Sequence, residues 1–210
     1  MISKELERQS FRNKFLDCYD SYLNLSKYQH IAIGIYKEGK CYIFGNGIND
    51  EYMYDIGSIS KTVSAHLILK LSLENFINLN DTIDKYLQLK KGNYPTINEL
   101  LTHSAGYNNL TPVEITIPSL FKHGYSRKNI YEKITDTDII NALHRRRKTK
   151  HKRIYGYSDF AYAVLALIAK KVTNQNYSSL LDDFIKKDLL KLVGTNDDIL
   201  ATVSCLKELG

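Results

Sequence analysis

Cysteine is scarce in this 210-residue sequence: Cys18, Cys41 and Cys205 are odd in number and share no motif spacing. That pattern gives a disulfide framework or a cysteine-based zinc module little weight, and it predicts reduced thiols. The six histidines, His30, His66, His103, His123, His144 and His151, contain no HxH or HExxH pair, so no metal site is expected. Long apolar runs are missing too. The longest, Phe160 to Ala169, has ten residues, about half a membrane span. The first thirty residues are charged throughout and lack the apolar region of a secretory signal. A soluble, cytoplasmic chain is the expectation. Proline occurs three times and tryptophan not at all, and there is no repeat, low-complexity tract or Ser/Gly linker.

What is present is an ordinary globular composition, 43% hydrophobic and 25% charged. A chain of this length can bury about 70% of its unfolded surface, so its core needs no covalent or metal staple. The net charge of +6 suggests an anionic partner, but it is concentrated. The run Arg145-Arg-Arg-Lys-Thr-Lys-His-Lys-Arg153 holds seven of the 29 Lys and Arg residues, leaving 22 against 23 acidic ones elsewhere. Residues 145–153 read as a solvated loop, and nucleic acid is not an expected partner.

Hydrophobic periodicity orders the chain. Residues 4–25 carry Leu6, Phe11, Phe15, Leu16, Tyr19, Leu23 and Leu25 at helical spacing. Ile31–Lys37 and Cys41–Phe44 are β-rich runs flanking Glu38-Gly39-Lys40, a hairpin pattern, and Tyr52–Ile56 is a third short extended run. From Ser58 the pattern turns helical, with Ile59, Val63, Leu67 and Leu71 in register to about Phe76. Thr96-Ile-Asn-Glu99 is a capping box opening a helix through Leu101. Further helices are predicted over Thr137–Leu143, Asp159–Val172 and Ser178–Leu192, the last closed by Gly194. Residues 107–134 hold two of the three prolines and read as a long surface excursion.

The junction at Gly57-Ser58 carries the chemistry. Ser58-Ile-Ser-Lys61 is an S-x-x-K pair, which a helix places on one face a turn apart. A serine hydroxyl becomes a nucleophile when a neighbouring base takes its proton, and a desolvated lysine can be that base. A helix N-terminus adds a positive dipole end for the developing oxyanion. With 15 serines and 22 lysines the pair also arises by chance, and Ser119/Lys122 and Ser204/Lys207 repeat it. Only Ser58 follows a β run ended by glycine and precedes a long apolar helix. A helix-capping serine is the competing reading.

Tyr54-Asp-Ile-Gly-Ser58-Ile-Ser-Lys61-Thr-Val-Ser-Ala65 resembles the nucleophile segment of the class C β-lactamase and penicillin-binding-protein family of serine hydrolases. Asn98-Glu-Leu-Leu-Thr-His-Ser-Ala-Gly106 is similar to that family's L-L-T-H-T-S-G signature, and Tyr157-Ser-Asp159 to its Y-x-N motif. Asn80-Asp81 before Tyr86-Leu87 also has the family's look, and the order holds across residues 31–195. The resemblance implies an α+β, β-lactamase/transpeptidase-like fold: an antiparallel sheet, here only its N-terminal strands, with a mostly helical lobe. Residues 1–57 would form the helix and hairpin portion and residues 58–200 the helical lobe of a single incomplete domain.

Carried over by position, the resemblance makes Ser58 the acylated nucleophile, Lys61 its proton acceptor or the residue that tunes the base, and Tyr157 the second base and proton shuttle. His103 belongs to a structural turn and is not catalytic in that frame. Asp159 takes the substrate-binding position, with a departure: an ionised carboxylate only accepts hydrogen bonds, where the family's amide also donates. Asp159 could pair with Lys61 and keep it protonated. A second departure is the family's H/K-x-G strand, which supplies half of the oxyanion hole. After Asp159 the only glycines are Gly194 and Gly210, neither with His or Lys two positions earlier. Loss of one oxyanion donor typically slows a reaction by about 10²–10³. An isolated hairpin is marginal and its edge invites a partner strand.

The expected function is a truncated, impaired serine hydrolase of a small-molecule ester or amide, with no cofactor and no metal. The alternative is a catalytically inactive relative acting as a binding or regulatory protein.

Overall fold

The computed structural model describes residues 56–107, 134–146 and 154–188 in full, and the backbone of 31–37, 40–46 and 189. The predicted helix over 4–25, the extended run Tyr52–Ile56 apart from Ile56, the excursion after Tyr107 up to 133, and Gly194 lie outside these residues. The chain divides into two compact units, Met1–Tyr54 and Asp55–Gly210.

In the first unit, β1 (Ile31–Lys37) and β2 (Lys40–Asn46) pair antiparallel. Their register runs from Ile31 opposite Asn46 to Lys37 opposite Lys40, the spacing of a two-residue connection. The hairpin read from the sequence is there, with β2 one residue longer at its start and two at its end.

The second unit is helical. A 3-10 turn, Gly57–Ile59, leads directly into α1 (Ser60–Leu73). Gly57 sits at φ +51°, a conformation that costs other residues about 1–2 kcal/mol. A Cβ there would meet nothing within 4 Å, so backbone conformation alone favours the glycine. The helix stops three residues short of Phe76. Asn75 adopts φ 63°, its N–H bonds Ser72 O, and Phe76 N–H bonds Leu71 O, which is a Schellman termination with asparagine in the usual glycine role.

A short 3-10 turn, Ile83–Lys85, precedes α2 (Ile97–Leu101). The capping box is made on both sides: Glu99 N–H donates to Thr96 Oγ1 at 3.1 Å and Thr96 N–H to Glu99 Oε2 at 2.9 Å. Next come α3 (Asp136–Arg146), α4 (Asp159–Thr173) and α5 (Tyr177–Phe184), which passes into a π turn at Ile185–Leu189. Asn174 closes α4 in the left-handed region.

Among the described residues the core forms around α4, which packs against α1, α2, α3 and α5 alike. Its apolar run explains this: Phe160, Ala161, Val164, Leu165, Leu167, Ile168 and Ala169 are all buried. A helix apolar on most of its circumference is stable only with neighbours on every side. Leu67, Ile68 and Leu71 of α1, Ile97 and Leu100 of α2, and Ala142 and Leu143 of α3 complete the cluster. Lys170 joins α4 to Asp136 of α3 at 2.7 Å, and Lys70 of α1 reaches Asp188 of the π turn at 2.7 Å.

The basic run begins inside α3, because that helix extends to Arg146. Arg145 is exposed, but the Arg146 guanidinium lies 5.8 Å from the Tyr107 ring and 5.6 Å from the Phe160 ring. Arg146 is therefore a half-buried packing residue and not part of a solvated loop. Residues 147–153 lie outside the described structure. No helix among the described residues is long and apolar enough to cross a membrane.

Candidate active site

Ser58 lies in the 3-10 turn ahead of α1, one step from where a capping serine would act. No side-chain capping bond is made at the start of either element. The Ser58 hydroxyl is instead hydrogen-bonded to the Tyr157 hydroxyl, 99 residues away in sequence. The Lys61 ammonium, one turn along, donates to Ser58 Oγ at 3.2 Å.

Tyr157 reaches this position because its segment is pinned. Ser158, next to it, is buried and caps α4 by accepting from Ala161 N–H at 3.1 Å. His103, in the turn after α2, holds the residues on either side: its carbonyl accepts from Gly156 N–H at 2.8 Å, and its Nδ1 accepts from Ser158 N–H at 3.2 Å. The second bond requires the proton on Nε2. The His103 ring lies 4.8 Å from that of Tyr157 and 5.2 Å from that of Tyr162. His103 itself has φ 56°, so the turn reading of the sequence holds for it.

Asp159, the first residue of α4, accepts from the Tyr157 hydroxyl at 3.1 Å and pairs with Lys61 at 2.5 Å. The Lys61 and Asp159 side chains are only 17% and 23% exposed, so water screens the pair weakly. Burial acts to lower the Lys61 pKa. The hydrogen bonds and charges of Asp159 and Tyr157 outweigh it and hold Lys61 above the ordinary lysine range. His103 is pushed the other way, first by burial and then by the Lys61 charge, with Asp159 opposing. It stays neutral at physiological pH.

All four residues picked from the sequence, Ser58, Lys61, Tyr157 and Asp159, thus lie in one hydrogen-bonded cluster. Sequence reasoning missed Tyr162. Its ring lies 5.9 Å from Lys61 Nζ, its hydroxyl bonds Leu101 O at 3.2 Å, and burial raises its pKa despite the lysine. Its place on the first turn of α4, just after the Tyr157 motif, was the available signal. Among the described residues, no group of three His, Cys, Asp or Glu side chains is placed to hold a metal.

The β-lactamase family model matches residues 24–198. Protein flp of Staphylococcus aureus (strain MW2) is 31% identical over 142 residues, 65% of this chain and 26% of its own length. A teichoic acid D-alanine hydrolase of Staphylococcus aureus is 28% identical over 174 residues, 76% of this chain and 38% of its own. An octameric penicillin-binding protein homologue from Pyrococcus abyssi superposes with a TM-score of 0.65 at 26% identity, covering 86% of this chain and 42% of that one. The chain therefore spans between about a quarter and two fifths of the length of these three proteins.

Proposed function

This chain belongs to the β-lactamase family and has its β-lactamase/transpeptidase-like fold, and from that premise we propose that it cleaves an ester or amide through an acyl-enzyme on Ser58. The observation that carries the proposal is the Ser58 hydroxyl bound by both the Tyr157 hydroxyl and the Lys61 ammonium. A capping serine has no use for either partner. In this reading Ser58 Oγ attacks the acyl carbon, Tyr157 shuttles the proton to the leaving group, and water then releases the acyl group by the same route. Lys61 tunes the site as a cation, which its ion pair with Asp159 supports. Asp159 would face the substrate as an acceptor for an N–H group and could not donate to an amide carbonyl.

The substrate is proposed to be a small ester or amide. Esters of D-alanine are the first to screen, given the name of the 28% identical hydrolase. β1 and β2 would be members of the family's antiparallel sheet, and a partner strand at their edge belongs to the same proposal.

The Lys61–Asp159 pair also favours a second reading. A lysine held protonated is no base, so the chain could be an inactive relative that binds without turning over. Intact mass after incubation with a fluorophosphonate, and separately a penicillin, separates the two. A single adduct absent from Ser58→Ala supports the hydrolase. A folded protein that takes up neither reagent overturns it.

A further inference from the structure

Donors and acceptors in the cluster can be counted. The Asp159 carboxylate only accepts, so the Tyr157 hydroxyl 3.1 Å away donates to it. That hydroxyl has one proton, so in its bond with Ser58 it must be the acceptor. Lys61 has only N–H donors and directs them to Ser58 Oγ at 3.2 Å and to Asp159 at 2.5 Å. One arrangement satisfies every group: Ser58 O–H to Tyr157 oxygen, Tyr157 O–H to Asp159 oxygen, with the ammonium bridging the two ends. An asparagine at 159 would accept the same Tyr157 bond but has no basic site for the proton.

We propose that Asp159, acting through Tyr157, is the terminal acceptor of a two-proton relay that activates Ser58 while Lys61 remains a fixed cation. The proposal rests on the serine-hydrolase reading above. As Ser58 attacks an acyl carbon, the Oγ–H electron pair becomes the Oγ–C bond and the carbonyl π pair moves onto oxygen. The serine proton passes to the Tyr157 oxygen, and the proton already there passes to Asp159 Oδ1. When the adduct collapses, the pair on oxygen re-forms the carbonyl and the bond to the leaving group breaks. Both protons then run back, and the leaving alkoxide or amine receives one. Asp159 is again a carboxylate and Tyr157 a phenol.

The charges favour this direction. Once Asp159 is neutral, the Lys61 charge loses its partner just as negative charge develops beside Ser58. Among the described residues, the other titratable groups facing Tyr157 and Lys61 are His103, from the turn after α2, and Tyr162, on α4. The one basic nitrogen of His103, Nδ1, is taken by the Ser158 N–H, and the Tyr162 hydroxyl is committed to Leu101 O. Neither competes for the serine proton.

The test is the rate of Ser58 labelling by a fluorophosphonate in the full 210-residue chain, read by intact mass across pH 7 to 9. The wild type should be nearly flat with pH. Asp159→Asn should be slower at pH 7, on the order of 10²-fold. Its rate should climb about tenfold per pH unit, since hydroxide must now take the proton that no carboxylate accepts. Asp159→Glu, which keeps the carboxylate, should return to a flat profile. Asp159→Asn that labels as fast as wild type with a flat profile overturns the relay and leaves the Ser58 reading intact. No Ser58 adduct on the folded wild type overturns both. The wild type alone offers a second test that needs no variant. Labelling rates in H2O/D2O mixtures should bow downward, as two moving protons require, and a straight line overturns the relay.

Discussion

Replacing Tyr157 by phenylalanine removes a single oxygen from the centre of the cluster. The ring should stay where it is, because its neighbours do not depend on that oxygen. His103 stacks at 4.8 Å and Lys61 lies 5.1 Å from the ring centroid. The flanking backbone bonds from Gly156 and Ser158 to His103 also persist. Stability should fall by about 1 kcal/mol for the lost hydrogen bonds, or roughly 2–4 °C in Tm for a chain of this size. Reactivity should fall far more. The hydroxyl is both the acceptor for Ser58 and the donor to Asp159, and Lys61, held protonated, cannot replace it. A positioned acid–base group contributes about 10²–10⁴-fold, or about 3–5 kcal/mol of barrier. The assay is the pseudo-first-order rate of fluorophosphonate labelling at pH 7, with circular dichroism confirming the fold. A Tyr157→Phe chain that is folded and labels within about threefold of wild type would refute the reasoning, since Ser58 would then be activated by something other than Tyr157.

Three further outcomes follow from the same geometry. Thr96→Ala removes the side-chain half of the α2 capping box and should cost about 1 kcal/mol in urea denaturation; no measurable change would mean the box is not formed in solution. Gly57→Ala should lower stability by about 1–2 kcal/mol through its positive φ yet still fold, because the added Cβ meets nothing; a chain that does not fold would show crowding at that turn. The pKa of His103 is depressed in the fold, so its contribution is complete above the ordinary value of 6.5 and is lost as pH falls below it. The urea midpoint should therefore drop between pH 7.5 and 5.5, and less so in His103→Asn, which tolerates the left-handed backbone; equal drops in both proteins would refute the assignment.

Much of the architecture was legible because it is set by short-range rules. The Thr96–Glu99 box needs only residues three apart. The all-round apolar run of α4 announces a central helix whatever its neighbours are. Helix ends were less legible where the terminating residue was an unusual one. The sequence pattern carried α1 on to Phe76, and the stop came from Asn75 entering the left-handed region without a glycine. The basic run misled for a related reason: charge counting does not show that a guanidinium with a long stem can lie over Tyr107 and Phe160.

The sequence by itself determined the hairpin, most of the described helices and the motif segment around Ser58, since each of these depends on residues within a turn or two of one another. It also raised the Lys61–Asp159 pairing as a chemical possibility. Only the tertiary structure decided that the pairing is made, that the Tyr157 hydroxyl meets Ser58 across 99 residues, and that His103 holds the backbone on both sides of Tyr157. The physical reason is that a spacing along the chain is a distance only within one helix or strand. Between α1 and the start of α4 the distance is set by how the buried faces of several helices pack together. The direction of the proton network follows from that packing, through a count of donors and acceptors that no linear motif contains.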